Sequence, residues 1–321
     1  LGENKLSYEE YGSLHALYKH DFQKFIDYNI KDVELVDRLE EKMGLITLAM
    51  TIAYKSKTNY SDTFGTTTVW DAVIYNSLLR KNIVVPPKED KPKSSIVGGY
   101  VKEPVVGMHD WICSFDLNSL YPNIIVQYNM SPETLTYEEE GDFAVAANNT
   151  KYRKEVEGII PEVIKQFYAD RVEAKDKMLE AKRKYQEAPT RKLGNEITIY
   201  DNQQMAVKIL MNSLYGALAN RWFRYFDLKI AEGVTTSGQR AIKCAEKAVN
   251  NEMQKILGTD KDYVVAIDTD SVYIDMSSLV TAHSPKNPVN YLDKVCEHFE
   301  KKIAQAYDVL SEETNSYENR M

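Results

Sequence analysis

The chain has 321 residues, enough for about two average domains and a sizeable core. Hydrophobic residues are 43% and charged residues 27%, an ordinary balance for a soluble protein, and no run of about 18 apolar residues exists to form a membrane span. Net charge is −8 with a pI near 5.4, which as a whole-chain average argues mildly against a nucleic-acid partner but can hide a local basic surface.

Residues 1–46 read as helical, with Tyr28 and Asp32 four apart and the acids Glu34, Asp37, Glu40 and Glu41 interleaved with Val33, Leu35, Val36 and Leu39. The opening residues, Leu1 to Lys5, do not resemble a signal peptide, and without an initiator Met the chain is expected to start inside a longer product. Residues 47–83 continue as helix, including Thr68 to Ile74. Pro86, Pro87 and Pro92 then break any regular element, and a domain boundary is expected there. Gly98-Gly99 predicts a turn or a close backbone approach.

The apolar run Trp111 to Phe115 reads as a strand that ends on Asp116, followed by a polar turn and then Tyr121-Pro122. Pro122 biases Tyr121 towards an extended conformation, and several free backbone N–H groups are expected just beyond Asp116. A carboxylate beside free amides can hold a metal ion and a polyphosphate together, although a strand ending in Asp and a turn is also commonplace. From Ser131 to Asn149 a polar excursion follows. Residues Lys151 to Lys192 carry 12 Lys/Arg against 8 Asp/Glu, a net of +4, so the basic surface is expected on a helical projection. Pro189 and Gly194 mark a hairpin turn, with the second helix running from about Glu196 to Asn212. Residues 231–257 read as helix, Tyr263 to Ile274 as a β-hairpin and Tyr291 to Tyr307 as an amphipathic helix. Cys113, Cys244 and Cys296 are far apart with no CxxC pair, so buried free thiols in a reducing compartment are expected rather than a disulfide frame or zinc site.

The hairpin turn Asp268-Thr269-Asp270-Ser271 places two carboxylates between apolar strands. An EF-hand loop is excluded because its sixth position, which needs glycine, is Tyr273; a plain acidic turn remains an alternative. Neighbouring strands could bring this turn to Asp116, and two divalent cations there would activate an attacking oxygen and stabilise a leaving one. Lys208, Asn212 and Tyr215 fall at i, i+4 and i+7 on one helix stripe, and Arg171 and Lys175 are i, i+4 on the preceding helix. These can supply phosphate-binding cations, or stand as an ordinary solvated face. Gly216 leaves room for a flat ligand.

Asp116-Leu117-Asn118-Ser119-Leu120-Tyr121-Pro122, Lys208-x3-Asn212-Ser213-x-Tyr215-Gly216 and Asp268-Thr269-Asp270-Ser271, in that order, resemble the three signature motifs of family-B DNA polymerases. Agreement with the T-even bacteriophage replicative enzymes extends to Ser131-Pro132-Glu133-Thr134 and Trp222-Phe223-Arg224-Tyr225, and Tyr28-Asn29-x2-Asp32-Val33-Glu34 is similar to the last of the family's exonuclease motifs. The resemblance implies an α/β (α+β) fold: an antiparallel palm sheet backed by helices, helical-hairpin fingers and a helical remnant of an exonuclease domain. It implies 1–87 as the end of a 3′–5′ exonuclease domain with its linker, 88–157 as first palm part, 158–220 as fingers and 221–321 as second palm part, without a thumb. Asp116 and Asp270 would bind two Mg2+ (or Mn2+) with the Leu117 carbonyl, with Asp268 in support and Asp32 left from an exonuclease metal site. Backbone N–H groups of Ser119, Leu120 and Tyr121, with Arg171 and Lys208, would hold the dNTP phosphates. Tyr121 would exclude a 2′-hydroxyl, and Asn212 and Gly216 would shape the base-pair pocket.

The chain departs from the family in having Ala266-Ile267 where Tyr-Gly commonly precedes the Asp-Thr-Asp turn, in a shorter finger segment, in lacking an Asp-x-Glu element within residues 1–27, and in having 51 residues beyond Asp270. The expected function is template-directed DNA synthesis in phage replication, in the (host) cytoplasm and away from membranes, with primer-template DNA and dNTPs. In the complete enzyme, complementing polymerase segments and a sliding clamp join these partners. The alternative is a catalytically silent fragment or split subunit that binds nucleotide and needs complementing chains. A two-metal nuclease would account for the carboxylates but not for the Lys208–Asn212–Tyr215 stripe.

Overall fold

The computed structural model describes residues 1–92 and 95–321. Helices are α1 (Leu14–His20), α2 (Phe22–Met43), α3 (Leu45–Ser56) and α4 (Thr66–Arg80). After strands β1 (Val101–Lys102) and β2 (Ile112–Asp116) comes α5 (Leu120–Gln127), then three short strands β3 (Leu135–Thr136), β4 (Phe143–Val145) and β5 (Lys151–Arg153). Two long helices, α6 (Ile159–Glu187) and α7 (Arg191–Leu218), precede α8 (Leu228–Leu257), the hairpin β6 (Val264–Asp268) and β7 (Ser271–Asp275), then α9 (Ser277–His283) and α10 (Pro288–Glu313). The class is mixed helix with antiparallel sheet, as the resemblance implies.

The central sheet runs β1-β6-β7-β2, antiparallel throughout. Its register sets Asp116 opposite Ser271, so two segments 155 residues apart share one strand end. Helix α8 backs the sheet. Asp227 caps it by accepting from the N–H groups of Lys229 and Ile230, and Gly258 ends it in the left-handed region at φ 65°. Ile230, Val234, Ala241, Ala245, Val249 and Met253 recur at helical spacing and are all buried, and α10 packs along the same helix. Each such large apolar side chain contributes about 1.5–3 kcal/mol on full burial.

Trp70 of α4 is fully buried and ties the first third of the chain to the centre: its indole Nε1 donates to the Leu210 carbonyl (3.2 Å) and to Ser213 Oγ (3.1 Å). Nearby, Arg224 binds Asp71 through two hydrogen bonds of 2.7 and 3.2 Å and also donates to the Pro86 carbonyl, so the proline-rich loop is tethered to the same helix.

Five local expectations are corrected. Residues 1–8 are not helical, and the remainder of 1–46 is broken at Gly12, Asp21 and Gly44, where two positive-φ glycines and one capping aspartate end successive helices. The α6–α7 turn is Ala188 to Thr190, and Gly194 lies inside α7. Thr190 caps that helix by accepting from Leu193 N–H, which outweighs one mid-helix glycine at a cost of about 1 kcal/mol. The 131–149 excursion is not all loop: β3, β5 and β4 form a second antiparallel sheet whose 2–3-residue strands are too short for a periodic signal. Finally, Tyr121 is helical, not extended, because Pro122 falls in the first turn of α5, where its missing N–H has no partner to lose. The three cysteines are free and half-buried rather than buried.

Candidate active site

The apolar alternation of β2 and β7 carries Asp116 to the edge of the sheet, and the tight turn after β6 carries Asp270 beside it. That turn is held by Asp270 N–H donating to the Asp268 carbonyl (2.6 Å) and by Thr269 at φ 54°. Leu117 N–H donates to the Asp270 carbonyl (2.8 Å), which fastens the two carboxylate-bearing segments together. Ser271 Oγ donates to Asp116 Oδ2 at 3.1 Å.

A cleft of about 390 Å3 opens on these groups, lined by Asp116, Asp270 and Thr269, the turn from Asn118 to Pro122, and Arg171, Lys208 and Asn212 from the long helices. Residues that are scattered over 155 positions thus converge on one concavity. Helix α5 enters it by its N-terminus. Ser119 sits at φ 53° in the cap position without making a side-chain cap, so the first N–H groups of the helix are left for a ligand. On the opposite wall, Arg171 Nε is buried with no hydrogen-bond partner among the described residues, a cost that a bound anion would remove.

The electrostatics are split between the two walls. Burial first, and then the charges of Asp116 and Asp268, push the Asp270 carboxyl above its ordinary value. Two like charges share the floor, while Arg171 and Lys208 face them across the cleft. Tyr121 and Tyr215 pack ring to ring, with centroids 4.7 Å apart at 44°, and burial raises both phenols, keeping them neutral.

Most of the sequence-expected residues meet here. Asp268 does not line the cleft; it ends β6, pairs across the turn with Ser271, and acts on Asp270 through its charge. Leu117 contributes through its backbone. Lys175 lies outside the lining, and Gly216 has no atom within 4 Å of an added Cβ, so the space beside it is open. Asp32 sits apart on α2, where its Oδ2 is ion-paired to Lys5 at 3.1 Å. Thr269 was not singled out from the sequence; its signal was its place between two site aspartates.

The family model for DNA polymerase family B matches residues 64–311. The chain belongs to DNA polymerase family B. It is 29% identical over 386 aligned positions to the DNA-directed DNA polymerase of Escherichia phage RB69, an alignment covering 100% of this chain and 42% of the relative. It is 32% identical over 336 positions to that of Enterobacteria phage T4, covering 87% of this chain and 37% of the relative. A DNA polymerase of Pyrococcus glycovorans is 35% identical over 207 positions, covering 61% and 24%. The chain therefore spans about two fifths of the length of the two phage enzymes. For this family-B chain the cleft is the concavity on which all three motifs converge.

The fit of divalent cations rests on the donor set. Among the described residues no cluster of three or more His, Cys, Asp or Glu forms a metal cage. The cleft instead offers two carboxylates, one of them raised above its ordinary value by burial and then by the charge of the other, beside free amides. Mg2+ is commonly held by one or two carboxylates with substrate phosphates and water completing its octahedron, so the residues fit.

Proposed function

We propose that this chain carries the nucleotidyl-transfer centre of a template-directed DNA polymerase of phage replication, working in the host cytoplasm. The observation that carries the reading is the convergence of Asp116 and Asp270 with Arg171 and Lys208 around one cleft. Asp116 and Asp270 would hold two Mg2+ (or Mn2+), with the Leu117 carbonyl as a further ligand. Bound there, the cations supply Lewis-acid activation of the attacking oxygen and neutralise the leaving one.

The residues of the chain do the rest. Arg171 binds the triphosphate as a planar fork and Lys208 as a point charge. The N–H groups of Ser119, Leu120 and Tyr121 donate to phosphate oxygens at the N-terminus of α5. With the nucleotide so placed, the primer 3′-hydroxyl oxygen attacks the α-phosphorus and its proton passes to solvent. The bond to the bridging oxygen breaks, and pyrophosphate leaves with the negative charge that Arg171 and Lys208 stabilise. Asn212 and the open space at Gly216 border the nascent base pair. In this reading residues 88–157 and 221–321 form the palm, 158–220 the fingers, and 1–87 the end of an exonuclease domain to which Asp32 belongs.

The partners are dNTPs and primer-template DNA, with complementing polymerase segments and a sliding clamp in the complete enzyme. A second form of the reading is a chain that binds nucleotide and needs complementing chains for activity. Primer extension by the chain, alone and then with flanking polymerase segments added, tests both forms. Incorporation in either condition that needs Asp116 supports the reading; DNA cleavage without triphosphates in place of incorporation overturns it.

Tyr121 gives a second test. Its ring stands in the cleft against Tyr215, where a 2′-hydroxyl would meet it. Tyr121→Ala is expected to raise relative ribonucleotide use by about 100-fold, the scale of a steric exclusion of roughly 3 kcal/mol. Single-nucleotide incorporation with dATP and ATP measures it, and unchanged sugar preference removes Tyr121 from that role.

A further inference from the structure

Two glycines lie against Tyr121, Gly238 beside its ring and Gly99 beside its hydroxyl, and neither is required by its backbone. Gly238 lies inside α8, and a Cβ built there would meet Tyr121 Cε1 at 3.0 Å and Cδ1 at 3.5 Å. Gly99 lies in the segment before β1, and its Cβ would meet Tyr121 Oη at 3.1 Å and Thr269 Oγ1 at 3.0 Å. Neither has a positive φ, so what they supply is space. Gly216 and Gly194 contrast with them: an added Cβ there meets nothing closer than 3.8 Å.

The surroundings limit how far the ring can give. Gln239, next to Gly238, donates from Nε2 to the Gly98 carbonyl at 2.7 Å, so α8 anchors the loop that carries the second glycine. Thr269 N–H donates to the Tyr100 carbonyl at 2.9 Å, which ties the same loop to the turn bearing Asp270. Tyr215 covers the ring from α7. The ring is thus seated between a helix, a strapped loop and a second aromatic ring.

We propose that Gly238 is a positioning residue that sets how far the Tyr121 ring stands into the cleft, and so sets the discrimination between deoxy- and ribonucleotides, with Gly99 as its counterpart at the hydroxyl end. The proposal deepens the reading of Tyr121 as the sugar gate and rests on it. A methyl group at Gly238 displaces the ring away from α8, towards Tyr215 and the space a sugar occupies. Deoxynucleotide binding then weakens, while ribonucleotide, already excluded, has little further to lose. The gate becomes too tight rather than open.

The test is a double-mutant cycle read as binding, so it needs no turnover. Dissociation constants for dATP and ATP with Mg2+ are measured by calorimetry on the full chain and on Gly238→Ala, Tyr121→Ala and the double variant. Gly238→Ala is expected to raise the dATP constant about tenfold when Tyr121 is present and less than about twofold when it is Ala. An equal loss in both backgrounds, or no loss in either, overturns the proposal. Failure of the gate itself reads differently: Tyr121→Ala alone would leave the dATP-to-ATP ratio unchanged. Thermal melting confirms that each variant folds. Should Gly238→Ala not fold, Gly99→Ala in the Tyr121 and Tyr121→Phe backgrounds decides. Removing the hydroxyl is expected to recover part of the Gly99→Ala loss, and no recovery overturns the proposal.

Discussion

Asp270→Asn is expected to abolish nucleotide incorporation while raising the melting temperature of the metal-free protein. The two effects share one cause. Asp270 is pushed up first by burial and then by the charges of Asp116 and Asp268, so its ionised form costs the folded state free energy at neutral pH. The neutral amide keeps the shape and removes that cost. Asp270 is only partly buried, so solvent screening keeps the gain small, roughly one or two degrees.

The pH dependence follows in sign. A carboxyl raised above its ordinary 3.8 binds its proton more tightly when folded than when unfolded. The penalty is fully present above the raised value and is relieved as pH falls through it towards 3.8. The advantage of Asp270→Asn should therefore be largest near neutrality and vanish in acid. Added Mg2+ should erase it at pH 7, because a bound cation stabilises the carboxylate and not the amide. Catalysis should fall by at least about 10^3-fold for Asp270→Asn and for Asp116→Ala alike, the upper end of what loss of one charge-stabilising group costs. Thermal melts from pH 4 to 8, with and without Mg2+, check the first effect and primer extension the second. A metal-free melting temperature below that of the unmodified chain at pH 7 would remove the argument that these aspartates are held at mutual cost.

Trp70→Ala carries the largest expected loss of stability, about 3–5 kcal/mol for a fully buried aromatic. To the lost apolar burial is added the loss of the two hydrogen bonds the indole donates, to the Leu210 carbonyl and to Ser213 Oγ, although those two groups keep their own 2.8 Å bond. A fall in melting temperature of roughly 5–15 °C is expected. Trp70→Phe keeps much of the volume and the contact with Phe167, and should lose about 1–2 kcal/mol. The effect should reach the cleft. Leu210 and Ser213 flank Asn212 on α7, and Lys208 lies half a turn earlier, so loosening the indole frees the wall that faces the aspartates. Nucleotide affinity should fall in Trp70→Ala at temperatures well below its melt. Full affinity there would mean that α7 is held by other contacts, chiefly its long packing against α6.

Much of the site was legible because its chemistry is written in short contiguous runs. Asp116 through Tyr121, Lys208 through Gly216, and Asp268 through Ser271 each carry their own local geometry: a strand end, a helix stripe, a hairpin turn. Their order along the chain identified the family. The long helices were legible too, since α8 and α10 repeat apolar residues every three or four positions over seven turns or more. The small second sheet was not, because a strand of two or three residues has no period to detect.

What the sequence by itself determined was which groups this protein has available: two aspartates on apolar strands, a Lys–Asn–Tyr stripe, and a Tyr-Pro turn. Tertiary structure alone decided how they face one another. The β2–β7 register puts Asp116 beside the Asp270 turn, and the α6–α7 hairpin swings Arg171 and Lys208 opposite. Tertiary packing also turned Tyr121 into a helical residue seated on Gly238 and Gly99, partners 117 positions downstream (238 − 121) and 22 upstream (121 − 99). The physical reason is that local propensity acts over a few residues, whereas register and close packing are set by shape complementarity between segments that no local pattern connects.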